Sequence, residues 1–267
     1  LNGFGAESMT FRSGPDTWIT TLQAVSNEPN SKFLFRDSDD NFNNKWSGGA
    51  FVGFGSPETA FWQGGDTEIS VTDGHSYTFV LSDVSASNDG TLLVHETDAD
   101  PVVISNVSQN LSVPAPGQRV EVNVDISQTK STQERIYIIY TDDGFATREA
   151  IEIDFSSGTS NSVEIPGASA GTDIDYYVIT TTINLNTSGE NGGYYDIRTL
   201  NLENNGGSNY SYTVADSWIT TSGADSWTIA SSWSTGAVPV EEQPVEIAHD
   251  LTLDTDATVA SITINNG

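Results

Sequence analysis

Apolar and polar residues alternate along this chain from one end to the other, and no segment holds a 3.6-residue period over three turns. A period of two puts successive side chains on opposite faces of an extended strand. Such a chain buries its apolar half by pairing strands into sheets and stacking the sheets. Clusters of Gly, Pro, Asp and Asn interrupt the strands at short intervals, the spacing of a β-sandwich. The expected fold class is all-β: tandem antiparallel β-sandwiches followed by a short-strand C-terminal segment. In 267 residues there is room for one large β domain or two to three ordinary ones.

Short strands are expected at 17–22, 32–36, 68–71, 76–81 and 91–95, with Ser87-Asn88-Asp89-Gly90 as a hairpin turn. The first domain therefore spans 1–99. Asp100-Pro101 marks its end, because Pro has no N–H to place in a ladder. The second domain, 100–214, carries strands at 120–126, 135–140, 150–155, 162–167, 173–180 and 210–214. In the first of these Val120, Val122, Val124 and Ile126 point inward and the carboxylates outward. Asp142-Asp143-Gly144 reads as a hairpin turn. The tail, 215–267, holds very short strands at 245–247, 251–253 and 259–264. It is either the first coil of a β-solenoid, which cannot bury its own face and implies a continuation, or a small edge hairpin. The chain opens at Leu1 without an initiator Met or a signal peptide and reads as a processed or excised segment.

Charge narrows the partners. There are 37 Asp and Glu against 9 Lys and Arg, a formal net charge of −28. So acidic a surface lacks the cations that displace counterions from nucleic acid, and anionic membranes are disfavoured for the same reason. No run approaches the roughly 20 apolar residues of a membrane helix. A neutral or cationic ligand, a metal ion, or a surface kept soluble by repulsion remains. The lack of Cys fits a bacterial secreted or cell-surface protein stabilised by its cores.

The densest polar constellation is Phe33-Leu-Phe-Arg-Asp-Ser-Asp-Asp-Asn-Phe-Asn-Asn-Lys-Trp-Ser-Gly-Gly49. A strand is expected to end at Arg36 and a polar loop to lead to Trp46. A pyranose ring binds where an exposed aromatic face stacks on its C–H face and polar groups reach its hydroxyl rim. Trp46 with Asn43, Asn44, Lys45 and Arg36 supplies both kinds of group, and Trp62 offers a second platform. Core packing is the competing use of Trp46 and Trp62. Trp18, inside a strand, is read as core, and the competing use of Arg36 is an ion pair with Asp37 or Asp39. Asp37, Asp39 and Asn41 are hard oxygen donors of the kind Ca2+ takes, but Phe42 and Gly48 stand where an EF-hand loop needs Gly and Glu. A non-EF Ca2+ site and a solvated Asp/Asn turn both fit that loop.

With Met9, Trp18, Gly64-Gly65 and Gly74-His75-Ser76-Tyr77-Thr78-Phe79, this stretch resembles the starch- and carbohydrate-binding sandwiches of Bacteroidetes surface lipoproteins. Residues 101–214 resemble a fibronectin type III or immunoglobulin-like domain, on the order of a Val-rich strand, a Tyr-rich strand, Glu164-Ile165-Pro166-Gly167 and Asp175-Tyr176-Tyr177-Val178. That resemblance implies a spacer or presenter, with Tyr176 and Tyr177 in the core. The run Trp233-Ser-Thr-Gly-Ala-Val-Pro239 and the strands after it look like the opening of repeat-rich exported proteins whose strands wind into a parallel solenoid.

No nucleophile elbow or phosphate loop is present, and His75, His95 and His249 stand in unrelated contexts, so no catalytic residue is nominated. The resulting expectation is a non-catalytic, secreted or cell-surface segment that binds a glycan, such as an α-glucan, through its first sandwich. The alternatives are a structural spacer or adhesin segment with no small ligand, in which Trp46 is buried, and an accessory region of a larger polysaccharide-degrading enzyme. Other segments of a longer chain are the expected protein partners.

Overall fold

The computed structural model describes residues 8–12, 16–38, 41–48, 51, 53–84, 88–185, 197–216, 218–222, 225–235, 237–240, 243–259 and 261–264, with backbone alone at 37, 38, 41–44, 225 and 261. The chain is all-β. Among the described residues nine strands form the first sandwich: β1 (Thr10–Arg12), β2 (Thr17–Gln23), β3 (Glu28–Phe33), β4 (Phe35–Ser38), β5 (Asn41–Ser47), β6 (Glu58–Trp62), β7 (Thr67–Val71), β8 (Ser76–Ser82) and β9 (Gly90–Thr97). Seven pair antiparallel in the order β1-β2-β8-β9-β6-β5-β4, and β3 pairs with β7 in a small second sheet. Phe33, Ile69 and Val71 of the small sheet meet Tyr77, Phe79, Leu81, Leu92 and Val94 of the large one in a single core. The Phe33 and Phe79 rings meet edge to face, 4.8 Å between centroids.

The run expected as one strand at 32–36 is two, broken at Leu34, with β3 in one sheet and β4 in the other. Likewise the polar stretch after Arg36 is no open loop: β4 and β5 pair antiparallel across it. Asn and Asp are poor strand formers, and pairing overrides that preference here.

The second sandwich comprises β10 (Ile104–Gln109), β11 (Val120–Ile126), β12 (Arg135–Thr141), β13 (Glu149–Ile153), β14 (Ser160–Ile165), β15 (Asp173–Thr181), β16 (Asn201–Glu203) and β17 (Tyr210–Thr213). One sheet runs β10-β11-β14. The other runs β13-β12-β15, with β16 and β17 sharing the far edge of β15. Val120, Val122, Val124 and Ile126 are all buried, packed against Ile136, Ile138, Tyr176 and Val178 of the opposite sheet. Tyr137, Ile139, Tyr177 and Ile179 face the other way and are also buried, beneath Leu185, Phe145 and Leu202. Burial on both faces is why β12 and β15 read as near-continuous apolar runs.

The two sandwiches are fused. Ser76, Thr78, Val80 and Ser82 alternate with the core residues of β8, so the whole strand is buried. Val80 and Leu93 pack with Ile197, Ile19 and Ile183. Arg12 donates to Thr199 O at 3.0 Å, and His95 Nδ1 meets Thr182 Oγ1 at 2.8 Å. The connection after Asp100-Pro101 is pinned as well. The buried Glu134 carboxylate accepts the Val102 N–H at 3.2 Å, and Asn201 donates to Val102 O at 2.7 Å.

The tail holds β18 (Ile219–Thr220), β19 (Asp225–Ser226), β20 (Pro244–Ile247), β21 (Leu251–Thr252) and β22 (Ser261–Ile264). All their pairings are parallel: β18 with β20, β20 with β22, and β19 with β21. Adjacent strands of a hairpin are antiparallel, so of the two expected forms the coil is the one adopted. Ile219, Val245, Trp227 and Trp233 make its small core.

Candidate functional site

The constellation around Trp46 lies on β4, β5 and β6. Phe35 pairs with Trp46 and Trp46 with Trp62, so the three rings line up across one face of the sheet. That face is the inner one. Trp46 is 7% exposed within the core, and its Nε1–H donates to Asn88 O at 3.0 Å. A sugar platform needs an open ring face, which Trp46 lacks; this corrects its expected role. Trp62 is half-buried against the same core, and its Nε1–H is buried without an acceptor among the described residues.

Nor do the two cations of the constellation flank the ring. Arg36 and Lys45 are registered partners, and each alternates along its strand with Phe35 or Trp46. The pleat therefore sends these cations to the face opposite the tryptophan. Asn43 and Asn44 belong to β5, but their side chains lie outside the described residues, as do those of Asp37 and Asn41 and the whole of Asp39. The Ca2+ reading of that loop thus falls outside the described structure. Among the described residues no group of three His, Asp or Glu side chains converges to hold a metal.

Two aromatic rings stand open instead: Trp18, which was expected in the core, and Phe11, which sequence reasoning missed. Phe11 and Trp18 are registered partners on β1 and β2, 45% and 41% exposed, with ring centroids 5.0 Å apart. Trp18 pairs with Leu81, which is core, so it shares the inner face of the large sheet. Neither ring belongs to the core cluster. Exposure of this kind depends on how far the small sheet extends, and no pattern within 17–23 encodes that.

A cleft of about 1020 Å³, lined by polar and apolar groups alike, opens beside the contact between the sandwiches. Thr10, Thr20 and Thr21 form one wall, Asn201, Asn204 and Gly207 the other, with Pro101 between them. Two of its polar groups are already in use. Thr21 Oγ1 meets Thr78 Oγ1 at 2.8 Å, and Asn204 Oδ1 accepts the Gly207 N–H at 3.0 Å.

The buried titratable groups serve the frame. Complete burial, helped by the nearby Arg12 cation, pushes His95 down to about 3. Its Nε2 has no partner among the described residues, so the neutral ring suits the site. Burial raises Glu134 above the usual carboxylate range. Asp143, in the expected hairpin turn, spends its oxygens on the Thr147 N–H and on the Thr147 and Thr141 hydroxyls, which holds it down at about 2. It staples the turn between β12 and β13. No family model matches this chain, and no curated protein matches it in sequence.

Proposed function

We propose that this chain is a non-catalytic structural segment of a secreted or cell-surface protein. In this reading the two fused sandwiches act as a stiff spacer that carries a parallel β-coil. The observation that carries it is the burial of Trp46, the ring best flanked for sugar binding, with its indole N–H bonded inside the core. The interface of Val80, Leu93 and Ile197 supports it, because a spacer transmits position only if its domains do not swing. The net charge of −28 keeps such a segment apart from its neighbours and from polyanions.

A second reading, glycan binding, is favoured by one observation: Phe11 and Trp18 form an exposed, tilted aromatic pair. A single experiment separates the two. The whole chain is run by affinity electrophoresis through gels containing starch, laminarin or xylan, with Trp18→Ala alongside. The spacer reading expects no retardation by any of the three. Retardation that Trp18→Ala abolishes would replace it with a glycan-binding module centred on Trp18.

A further inference from the structure

The contact between the sandwiches is built from an apolar row beside a polar one. On the outer face of the large sheet Ile19, Val80 and Leu93 are registered across β2, β8 and β9, and they meet Ile183 and Ile197 of the second sandwich. These residues form a cluster of their own, separate from the cores of the two sandwiches. Two positions along the strands, the next row is Thr21, Thr78 and His95. His95 reaches across from that row, with Nδ1 2.8 Å from Thr182 Oγ1. Its ring is fully buried, and Nε2 has no partner among the described residues.

A ring held in this way has to be neutral. The neutral imidazole satisfies one nitrogen through Thr182 and leaves the other bare. The imidazolium would bury a full charge and an N–H with no acceptor. The surrounding charges do not offset that cost. Arg12, on β1, sends its guanidinium across the same contact to Thr199 O and repels a second cation. Arg198, next to Ile197, is another buried cation. Glu96 follows His95 on β9 but turns to the opposite face, where it takes the Tyr77 hydroxyl and meets His75. Glu134, on the second sandwich, is spent on the Val102 N–H.

The connection between the sandwiches responds to acid with the opposite sign. Burial raises the Glu134 carboxyl above its ordinary range, so protonation relieves it. The protonated group still has a carbonyl oxygen to accept the Val102 N–H. Acid therefore strips the contact of its support and leaves the connection after Pro101 pinned.

We propose that His95 is an acid-released latch. At neutral pH it lets the apolar row close the sandwiches against each other; on acidification they part while each stays folded, hinged at the pinned connection. Parting hydrates the ring and returns it from about 3 to its ordinary 6.5. The closed value is the lower one, so the closed form is fully favoured above pH 6.5 and loses ground below it. By linkage, parting becomes about twentyfold more frequent between pH 7 and pH 5. The latch depends on this contact alone and stands or falls separately from the spacer reading.

The chain has no Cys, so introduced single thiols report on each region of the whole chain. Val80→Cys places one in the contact, Val94→Cys one in the core of the first sandwich, and Val122→Cys one in the core of the second. Each is labelled with a thiol reagent at pH 7 and pH 5, and the rate is divided by that of the same variant unfolded in urea at the same pH. The normalised rate of Val80→Cys is expected to rise about twentyfold on acidification and to exceed both core thiols at pH 5. His95→Asn and His95→Leu, which take no proton there, should each abolish the rise. No rise in Val80→Cys would overturn the latch, and a rise that survives both His95 substitutions would overturn the role of the histidine. Equal rates at all three positions would mean that the sandwiches unfold rather than part, which overturns it as well.

Discussion

Trp46 and Trp18 have exchanged the roles their local sequences suggest, and the cause is register. Trp46 sits among Asn, Lys and Ser yet lies in the core, because it pairs with Phe35 and Trp62 on an inward face. Trp18 sits in a regular strand yet is 41% exposed. Truncation should therefore separate them. Trp46→Ala is expected to lower stability by about 3–5 kcal/mol, and Trp18→Ala by less than about 1 kcal/mol. Urea denaturation of the two variants checks both. His95 gives a pH prediction. Its folded pKa, about 3, lies below the ordinary value of 6.5. The unfolded chain therefore takes up a proton first as pH falls, and the stability from keeping the ring neutral is full above pH 6.5 and is lost from there downward. Between pH 7 and pH 5 the loss is about 2 kcal/mol. Glu134 acts with the opposite sign, since its pKa is raised in the fold. It is unchanged in His95→Asn, so the difference between parent and variant in stability against pH isolates the histidine. A parent and variant with parallel profiles would contradict the assignment.

At the scale of elements, the strands that were legible are those with one buried face. The expected strand at 120–126 coincides with β11, because its alternation is the inside–outside pattern of a single sheet. The run at 32–36 was not legible as two strands: Phe33 and Phe35 belong to the same core although they come from opposite sheets, so the pattern passes through the break unchanged. Strands β1, β5, β6, β10, β16, β18 and β19 were missed because they are two to seven residues long and most lie in polar sequence. Tail pairing was also undetermined, since short apolar strands look alike in parallel and antiparallel sheets. The connection between sandwiches carries its own prediction. Glu134→Ala would strand the buried Val102 N–H, at a cost of about 1–3 kcal/mol. Glu134→Gln retains an acceptor and should cost less, as read from the urea midpoints.

At the scale of the molecule, the apolar contact of β8 and β9 with Ile183 and Ile197 joins the two sandwiches and should couple their unfolding. Calorimetry should show them unfolding in a single transition. Leu93→Ala, at the centre of the interface, should lower stability by about 2–5 kcal/mol while the interface still couples the two. Two separate transitions in the parent chain would refute the fusion. The charge acts over the whole surface. With 37 acidic residues against 9 basic ones, self-repulsion opposes the compact state, so raising NaCl from low to physiological strength should raise the Tm.

Composition and periodicity were enough to determine an all-β chain, acidic and rich in turns, because side-chain alternation is a local property that each strand carries wherever it is placed. They also located most of the longer strands. The tertiary structure alone decided which faces met: that Trp46 turns inward, that Trp18 and Phe11 stay open, that the outer face of β8 is an interface, and that the tail coils in parallel. Those outcomes depend on register and on which sheet covers which, and both are set by contacts between residues far apart in the chain, where a two-residue period is silent.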